Sequence, residues 1–194
     1  MVEPPLGAEG RSPRVTILGI AASPHGPGTT TAVVEAFLEG CGGAGACTEL
    51  FELTAVRDAE TVLGEIERAD GIVFGSPIYR ATHTSLLGSF LERIQRGGPR
   101  ETSAPLKGKA SAVVMTGAAS EHFLATATLQ NILSAFFAVQ VLSPALFLAK
   151  EAVGADGQLT AQARERAQLH GHALVDLAVA CRASKSIAAL EPIV

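Results

Sequence analysis

The strongest constraint on this chain is an alternation that recurs along its length: a run of strand-forming apolar residues, a small-residue loop, then a helix with one apolar stripe. VTILGIA, Val15 to Ala21, is apolar throughout and leads through a Pro/Gly loop to a stripe at Val33, Val34, Phe37 and Leu38. That helix ends in GCGGAG, Gly40 to Gly45, which reads as a C-cap and turn. CTELFEL alternates as a second strand, and an acidic helix carries Val62, Leu63 and Ile66. DGIVFGSP gives a third strand, Leu86 to Ile94 a third helix, and KASAVVMTG a fourth strand. An uncharged helix striped by Leu129, Ile132, Leu133, Phe136 and Phe137 follows, then VQVLSPALFLA as one strand and a last helix through Leu169, Leu174 and Leu177. Five strands alternating with five helices, the strands apolar on both faces, specify an α/β three-layer fold: an open parallel sheet with helices on both faces. Right-handed crossovers leave few topologies, and the order 2-1-3-4-5 fits. Ligands of such sheets sit beyond the carboxyl ends of the strands, so the loops after strands one, three and four are where function is expected.

A chain of 194 residues suits one domain. The ordered unit is expected over 14–183, between a flexible N-terminal tail at 1–13 and a C-terminal tail at 184–194. Charged residues make up 18% and mean hydropathy is +0.31, which points to apolar surface covered by another copy in a homo-oligomer. A net charge of −4 with one Tyr and no Trp argues against a nucleic-acid binder, which needs a basic face and stacking aromatics. Cys41, Cys47 and Cys181 form no CxxC pair and no His stands at zinc-finger spacing, so no disulfide framework or metal site is expected, and the thiols read as buried. The N-terminal MVEPPLGAEGRSPR lacks an apolar core of signal-peptide type, which makes the cytoplasm the expected compartment. Phe123 to Ala149 carries no charge, yet Gln130, Asn131, Gln140 and Pro144 interrupt it and it divides into a helix and a strand, so no membrane span is expected.

Three loops hold the unusual residues. Ser23-Pro24-His25-Gly26-Pro27-Gly28-Thr29-Thr30-Thr31 brings hydroxyls and backbone N–H groups to the start of a helix, where the macrodipole favours an anion such as phosphate. An ordinary Ser/Thr N-cap after a Pro/Gly turn is the competing reading. No Lys follows the glycine and no GxGxxG follows the strand, so neither a Walker A loop nor a dinucleotide fingerprint is present. The third-strand loop, Gly75 to Ser85, contains Pro77, Ile78 and the sole tyrosine, Tyr79; its proline-first turn can offer backbone amides to a flat heterocycle, or simply end the strand. The fourth, Thr116-Gly117-Ala118-Ala119-Ser120-Glu121-His122, is small enough for backbone to approach a ligand closely, with a Ser120 N-cap as the plainer role.

Together these segments resemble the NADPH-dependent FMN reductase family of flavodoxin-like proteins, over about residues 14 to 180. SPHGPGTT is similar to the family pattern S-P-R-x-x-S-x-S, so by resemblance Ser23, His25, Thr29, Thr30 and Thr31 inherit the FMN phosphate loop; His25 stands where the family has Arg, and Gly28 where it has Ser. PIYRATHTSLLG is similar to P-x-Y-K-x-S-x-x-G-L-L-K, which carries Pro77, Ile78, Tyr79, Arg80 and Thr82 to the flavin edge, with Ser85 for the family Gly and Gly88 for its Lys. TGAASEHFL is similar to T-x-G-x-x-x-H-x-L, which brings Thr116, Gly117, Ala118 and His122 to the isoalloxazine side. Some family members insert a Tyr that forms a π-bulge in the next helix; HFLATATLQNIL has no Tyr, which implies a regular helix and FMN retention, against the weakened phosphate loop. Family subunits pair through such helices into dimers that associate into tetramers, so the resemblance implies a homodimer or homotetramer.

The resemblance implies NAD(P)H:FMN oxidoreductase activity, with FMN as cofactor, NADPH or NADH as hydride donor, and a flavin-dependent monooxygenase as a partner receiving reduced flavin. The flavin carries that chemistry, so no catalytic side chain is required. In keeping with this, His170 and His172, two apart on a helix, face different ways. The alternatives are an FMN-bound quinone, azo-dye or chromate reductase, a non-catalytic flavin-binding electron-transfer module, and a flavodoxin-like protein that has lost flavin. Arg93, Arg96 and Arg100 are candidate contacts to a nucleotide 2′-phosphate by proximity to the third loop.

Overall fold

A computed structural model describes residues 14–56 and 58–193. The expected tail at 1–13 lies outside them. Strands β1 (Thr16–Ala21), β2 (Cys47–Glu52), β3 (Gly71–Pro77), β4 (Ala110–Gly117), β5 (Gln140–Val141) and β6 (Leu146–Ala149) alternate with helices α1 (Thr29–Gly43), α2 (Ala59–Arg68), α3 (Ser85–Leu91), α4 (Thr126–Phe137), α5 (Ala161–Ala183) and α6 (Lys185–Ala188). The sheet is parallel in the order β2-β1-β3-β4-β5, with β6 also on β4. This is the flavodoxin-like arrangement expected from the alternation. The expected fifth strand is broken in two: β5 pairs at Ala110–Ser111 and β6 at Val114–Gly117 of β4. Between them stands the cis Ser143–Pro144 peptide, and a proline has no N–H to give the ladder.

Alternate residues of each buried strand feed opposite sides of the sheet. Ile17, Val73 and Val114 join Phe37 and Leu174 under α1 and α5, while Leu18, Ile20, Ile72, Phe74 and Met115 join Ile66, Leu129 and Leu133 on the other face. Helices α1 and α5 meet backbone to backbone. A Cβ on Gly171 would stand 2.1 Å from the Phe37 carbonyl oxygen, and one on Gly40 would stand 2.1 Å from that of Gln168. Gly40 is therefore helix interior rather than the start of a turn; α1 continues to Gly43, and the left-handed turn comes at Gly45 (φ 90°). In this contact the Cys41 thiol donates to the Gly171 carbonyl at 3.4 Å, and burial pushes that thiol up to about 12.

One further expectation is corrected. Cys47 is exposed, because it begins the edge strand β2, which has a neighbour on one side only. Leu169 is exposed, since α5 packs through Ala163, Ala167, Gly171, Leu174 and Ala178, and Leu169 projects from the other side. After α5, α6 covers Gly108, Lys107 pairs with Glu191, and the Ile193 N–H donates to the Ala135 carbonyl at 2.9 Å. Helix α4 is regular, preceded by a 3-10 helix over Ser120–Ala125. No helix among the described residues is long and apolar enough to cross a membrane.

Candidate functional site

The carboxyl ends of β1, β3, β4 and β6 open on one cleft of about 540 Å³, within the usual range of small-molecule sites. Strand β1 delivers the chain to a loop whose Ala22 N–H is held by the Gly75 carbonyl at 2.8 Å and which turns at Gly26 (φ 84°) into α1. The N-cap of α1 is Gly28, with no side chain to cap the first turn, and that turn contains no acidic residue. Its first N–H groups thus lack the usual Ser, Thr, Asp or Asn acceptor, and the positive helix end faces the cleft at Thr29 and Thr30. The simple Ser/Thr N-cap role does not hold for this helix: the N-cap is Gly28, and Thr31, three residues on, accepts from the Gly28 N–H at 3.3 Å.

After β3 the chain makes a tight hairpin. Tyr79 and Thr82 exchange backbone hydrogen bonds of 3.0 and 3.2 Å, with Arg80 (φ 53°) and Ala81 (φ 62°) both left-handed between them, as a type I′ turn requires. Neither is glycine or asparagine, so each stores about 1 kcal/mol or more of backbone strain. Buried hydroxyls fix this loop to the first one: Ser76 Oγ accepts from the Thr84 N–H at 3.0 Å, and the Thr84 hydroxyl donates to the Ala22 carbonyl at 3.0 Å. The loop after β4 is fixed likewise, by the Ile78 N–H donating to the Thr116 carbonyl at 2.8 Å and by a 2.7 Å bond between the Thr30 and Thr116 hydroxyls.

The structure gathers Ser23, Thr29, Thr30, Pro77, Ile78, Tyr79, Thr116, Gly117 and Ala118 around this cleft. Thr31, 5% exposed, lies beneath the loop. His25 is at the rim, its ring 6.4 Å from that of Tyr79, and Arg80 is exposed at the hairpin tip. The Thr82 hydroxyl lies 3.3 Å from His83 Nδ1, and burial holds the His83 imidazole below its ordinary range. His122 is exposed on the 3-10 helix, its Cβ 3.4 Å from where a Gly117 Cβ would stand. Such a Cβ would also meet the Phe147 ring at 3.0 Å, so glycine keeps this wall close to backbone. Arg93, Arg96 and Arg100 do not line the cleft; Arg93 pairs with Glu60 at 3.2 Å and Arg96 lies over the Phe136 ring at 5.7 Å.

The remaining wall, which the loop motifs did not point to, is Leu148, Ala149 and Lys150 with Val153 and Gly154. Lys150 is the only cation among the cleft-lining residues. The signal for it was its place directly after the last strand, at the same end of the sheet as the other loops.

The sequence profile of the NADPH-dependent FMN reductase family matches residues 15–153. No curated protein matches the chain. Among solved structures, an oxidoreductase from Corynebacterium diphtheriae is similar with a TM-score of 0.71 at 19% identity, over 87% of this chain and 99% of that one. A flavone reductase gives 0.69 at 20% identity over 88% and 65%, and the apo form of the NADH:FMN oxidoreductase EmoB gives 0.68 at 18% over 89% and 93%. At these identities the likeness is one of fold. The profile match covers well over half of the sequence, and the chain belongs to the NADPH-dependent FMN reductase family, flavin-dependent oxidoreductases that bind FMN and use NADPH or NADH.

Proposed function

We propose that the chain is an NAD(P)H:FMN reductase with its FMN in the cleft at the carboxyl ends of β1, β3, β4 and β6, supplying reduced flavin to a monooxygenase. The observation that carries this is the N-terminus of α1: an uncapped, acid-free helix end facing the same cleft as a hydroxyl-rich loop. The residues present fit FMN. Free amides and the Ser23 and Thr29 hydroxyls suit its phosphate, while Pro77, Ile78, Tyr79 and the Gly117 backbone suit a flat ring. When bound, FMN supplies the hydride acceptor and then the electron donor for the next step.

The chain's own work is to bind and to orient. The Thr30–Thr116 and Ser76–Thr84–Ala22 bonds hold the phosphate loop and the ring walls in one register. Lys150 gives the site a positive charge against the anionic cofactor. Apolar side chains exposed on α4 and the 3-10 helix before it, Phe136, Phe123 and Leu124, support pairing of two copies through this face.

The test is anaerobic mixing of the protein with FMN and NADPH, and in parallel NADH, following loss of the oxidised flavin absorbance against a protein-free control. Rapid bleaching is expected with at least one donor. Flavin that binds yet stays oxidised with both would overturn the reductase reading in favour of an electron-transfer module.

A further inference from the structure

Glu52, the last residue of β2, reaches the N-terminal turn of α1 from below. Its Oε1 accepts from the Thr31 hydroxyl, and Thr31 Oγ1 in turn accepts from the Gly28 N–H at 3.3 Å. A short hydrogen-bonded relay therefore joins a carboxylate to the backbone of the loop that opens on the cleft. The second carboxylate oxygen, Oε2, is buried and has no hydrogen-bond partner among the described residues. No ion pair found among those residues includes Glu52.

Glu52 is half-buried, and a carboxylate with one oxygen buried, unpartnered and without a cation beside it is costly unless something else compensates its charge. The compensation on hand is the positive end of α1, whose field favours any anion near the first turn. A phosphate monoester arriving from the cleft side brings a charge of about −1.5 to −2 to that same end. The two anions then share one helix terminus, and at the buried Oε2 their repulsion is screened less than between charges in bulk solvent.

We propose that Glu52 is a positioning and specificity residue that keeps FMN exchangeable: it orients Thr31 under the loop, and its charge lowers the affinity of the helix end for the flavin phosphate. This rests on the reading of that helix end as the phosphate site. The device suits a reductase that must hand its flavin on, and it acts together with Gly28, which supplies no side chain to the phosphate.

The test compares FMN with riboflavin, which lacks the phosphate, in the wild-type protein and in Glu52→Gln. The variant keeps the shape and an acceptor oxygen for Thr31 while removing the charge. Dissociation constants from flavin fluorescence quenching should show FMN bound on the order of tenfold more tightly by Glu52→Gln, with riboflavin unchanged. Unchanged riboflavin affinity also reports an intact fold, and Glu52→Met, neutral and of similar length, should move FMN the same way. An FMN affinity that is unchanged or weaker, or a shift common to both flavins, overturns the proposal and leaves Glu52 a structural acceptor. If neither the wild-type protein nor Glu52→Gln prefers FMN to riboflavin, the phosphate site itself is misassigned and the proposal falls with it.

Discussion

The N-cap of α1 offers a substitution in which stability and cofactor affinity should move in opposite directions. Gly28 has an extended backbone (φ −168°), and a Cβ there meets nothing within 4 Å, so a larger residue fits without strain. In Gly28→Asp the new carboxylate can accept from the N–H groups two and three residues on, those of Thr30 and Thr31, as an ordinary N-cap does. Capping and the helix dipole together should raise stability by about 0.5–1 kcal/mol. The same carboxylate then occupies the amides that the phosphate needs. Losing one or two charge-assisted hydrogen bonds costs about 2–4 kcal/mol of binding, or roughly 30- to 1,000-fold in Kd. Gly28→Asn caps without the charge and should weaken FMN by less, which separates competition for the amides from repulsion. The assay is urea denaturation without flavin beside titration with FMN and with riboflavin. Undiminished FMN affinity in a stabilised Gly28→Asp protein would mean that the first turn of α1 does not hold the phosphate.

The other predictions concern the scaffold. Gly171→Ala would put a methyl group 2.1 Å from the Phe37 carbonyl oxygen and 2.8 Å from the Cys41 nitrogen, backbone atoms that no side-chain rotation can clear; α1 and α5 must separate, and a loss of about 2–3 kcal/mol or more is expected in urea denaturation. A loss below about 0.5 kcal/mol would show that the interface yields easily. Ala81→Gly removes the methyl group from a left-handed residue (φ 62°) and should stabilise by about 1 kcal/mol, read from the same curves; no gain would mean that the hairpin is unstrained. Burial holds Lys109 down to about 8 from 10.5, although its ammonium donates to the Ile66 and Glu67 carbonyls. Between those values the unfolded chain binds more protons, so the destabilisation is full below pH 8 and is relieved as pH rises towards 10.5, by about 2 kcal/mol after allowing for partial exposure. Lys109→Met should lack that rise in stability between pH 8 and 10.5, and parallel pH profiles would refute the assignment.

The layers and the strand order were legible because both faces of β1, β3 and β4 are covered, and covered strands write themselves as unbroken apolar runs such as TILGIA and GIVFGSP. The loops were legible because ligand sites in open parallel sheets gather at the carboxyl ends. What stayed hidden depends on partners far away in sequence. That Gly28 rather than a hydroxyl residue caps α1 is a matter of where the helix begins, and that the Thr30 hydroxyl is taken up by Thr116, 86 positions on, needs the folded sheet. Cys47 and Leu169 have apolar or thiol side chains yet face solvent, because an edge strand and the far side of a long helix have nothing to pack against. The break of the last strand was written in Pro144, but the pairing of both pieces with β4 was not.

The cleft divides its polar groups by task. Buried hydroxyls are spent on one another: Thr30 on Thr116, and Thr84 on Ser76 and Ala22, so the three loops form one rigid rim before any ligand arrives. The groups left for a ligand are chiefly backbone amides at the start of α1, a few exposed hydroxyls and Lys150. Such a rim can hold charge and shape but has little means of moving a proton, for no pair of side chains in it stands as nucleophile and base. That is the economy expected when the reacting atoms belong to the cofactor: the protein supplies a fixed frame and field, and Glu52, under the loop and out of the cleft, can adjust the grip of that field without touching the ring.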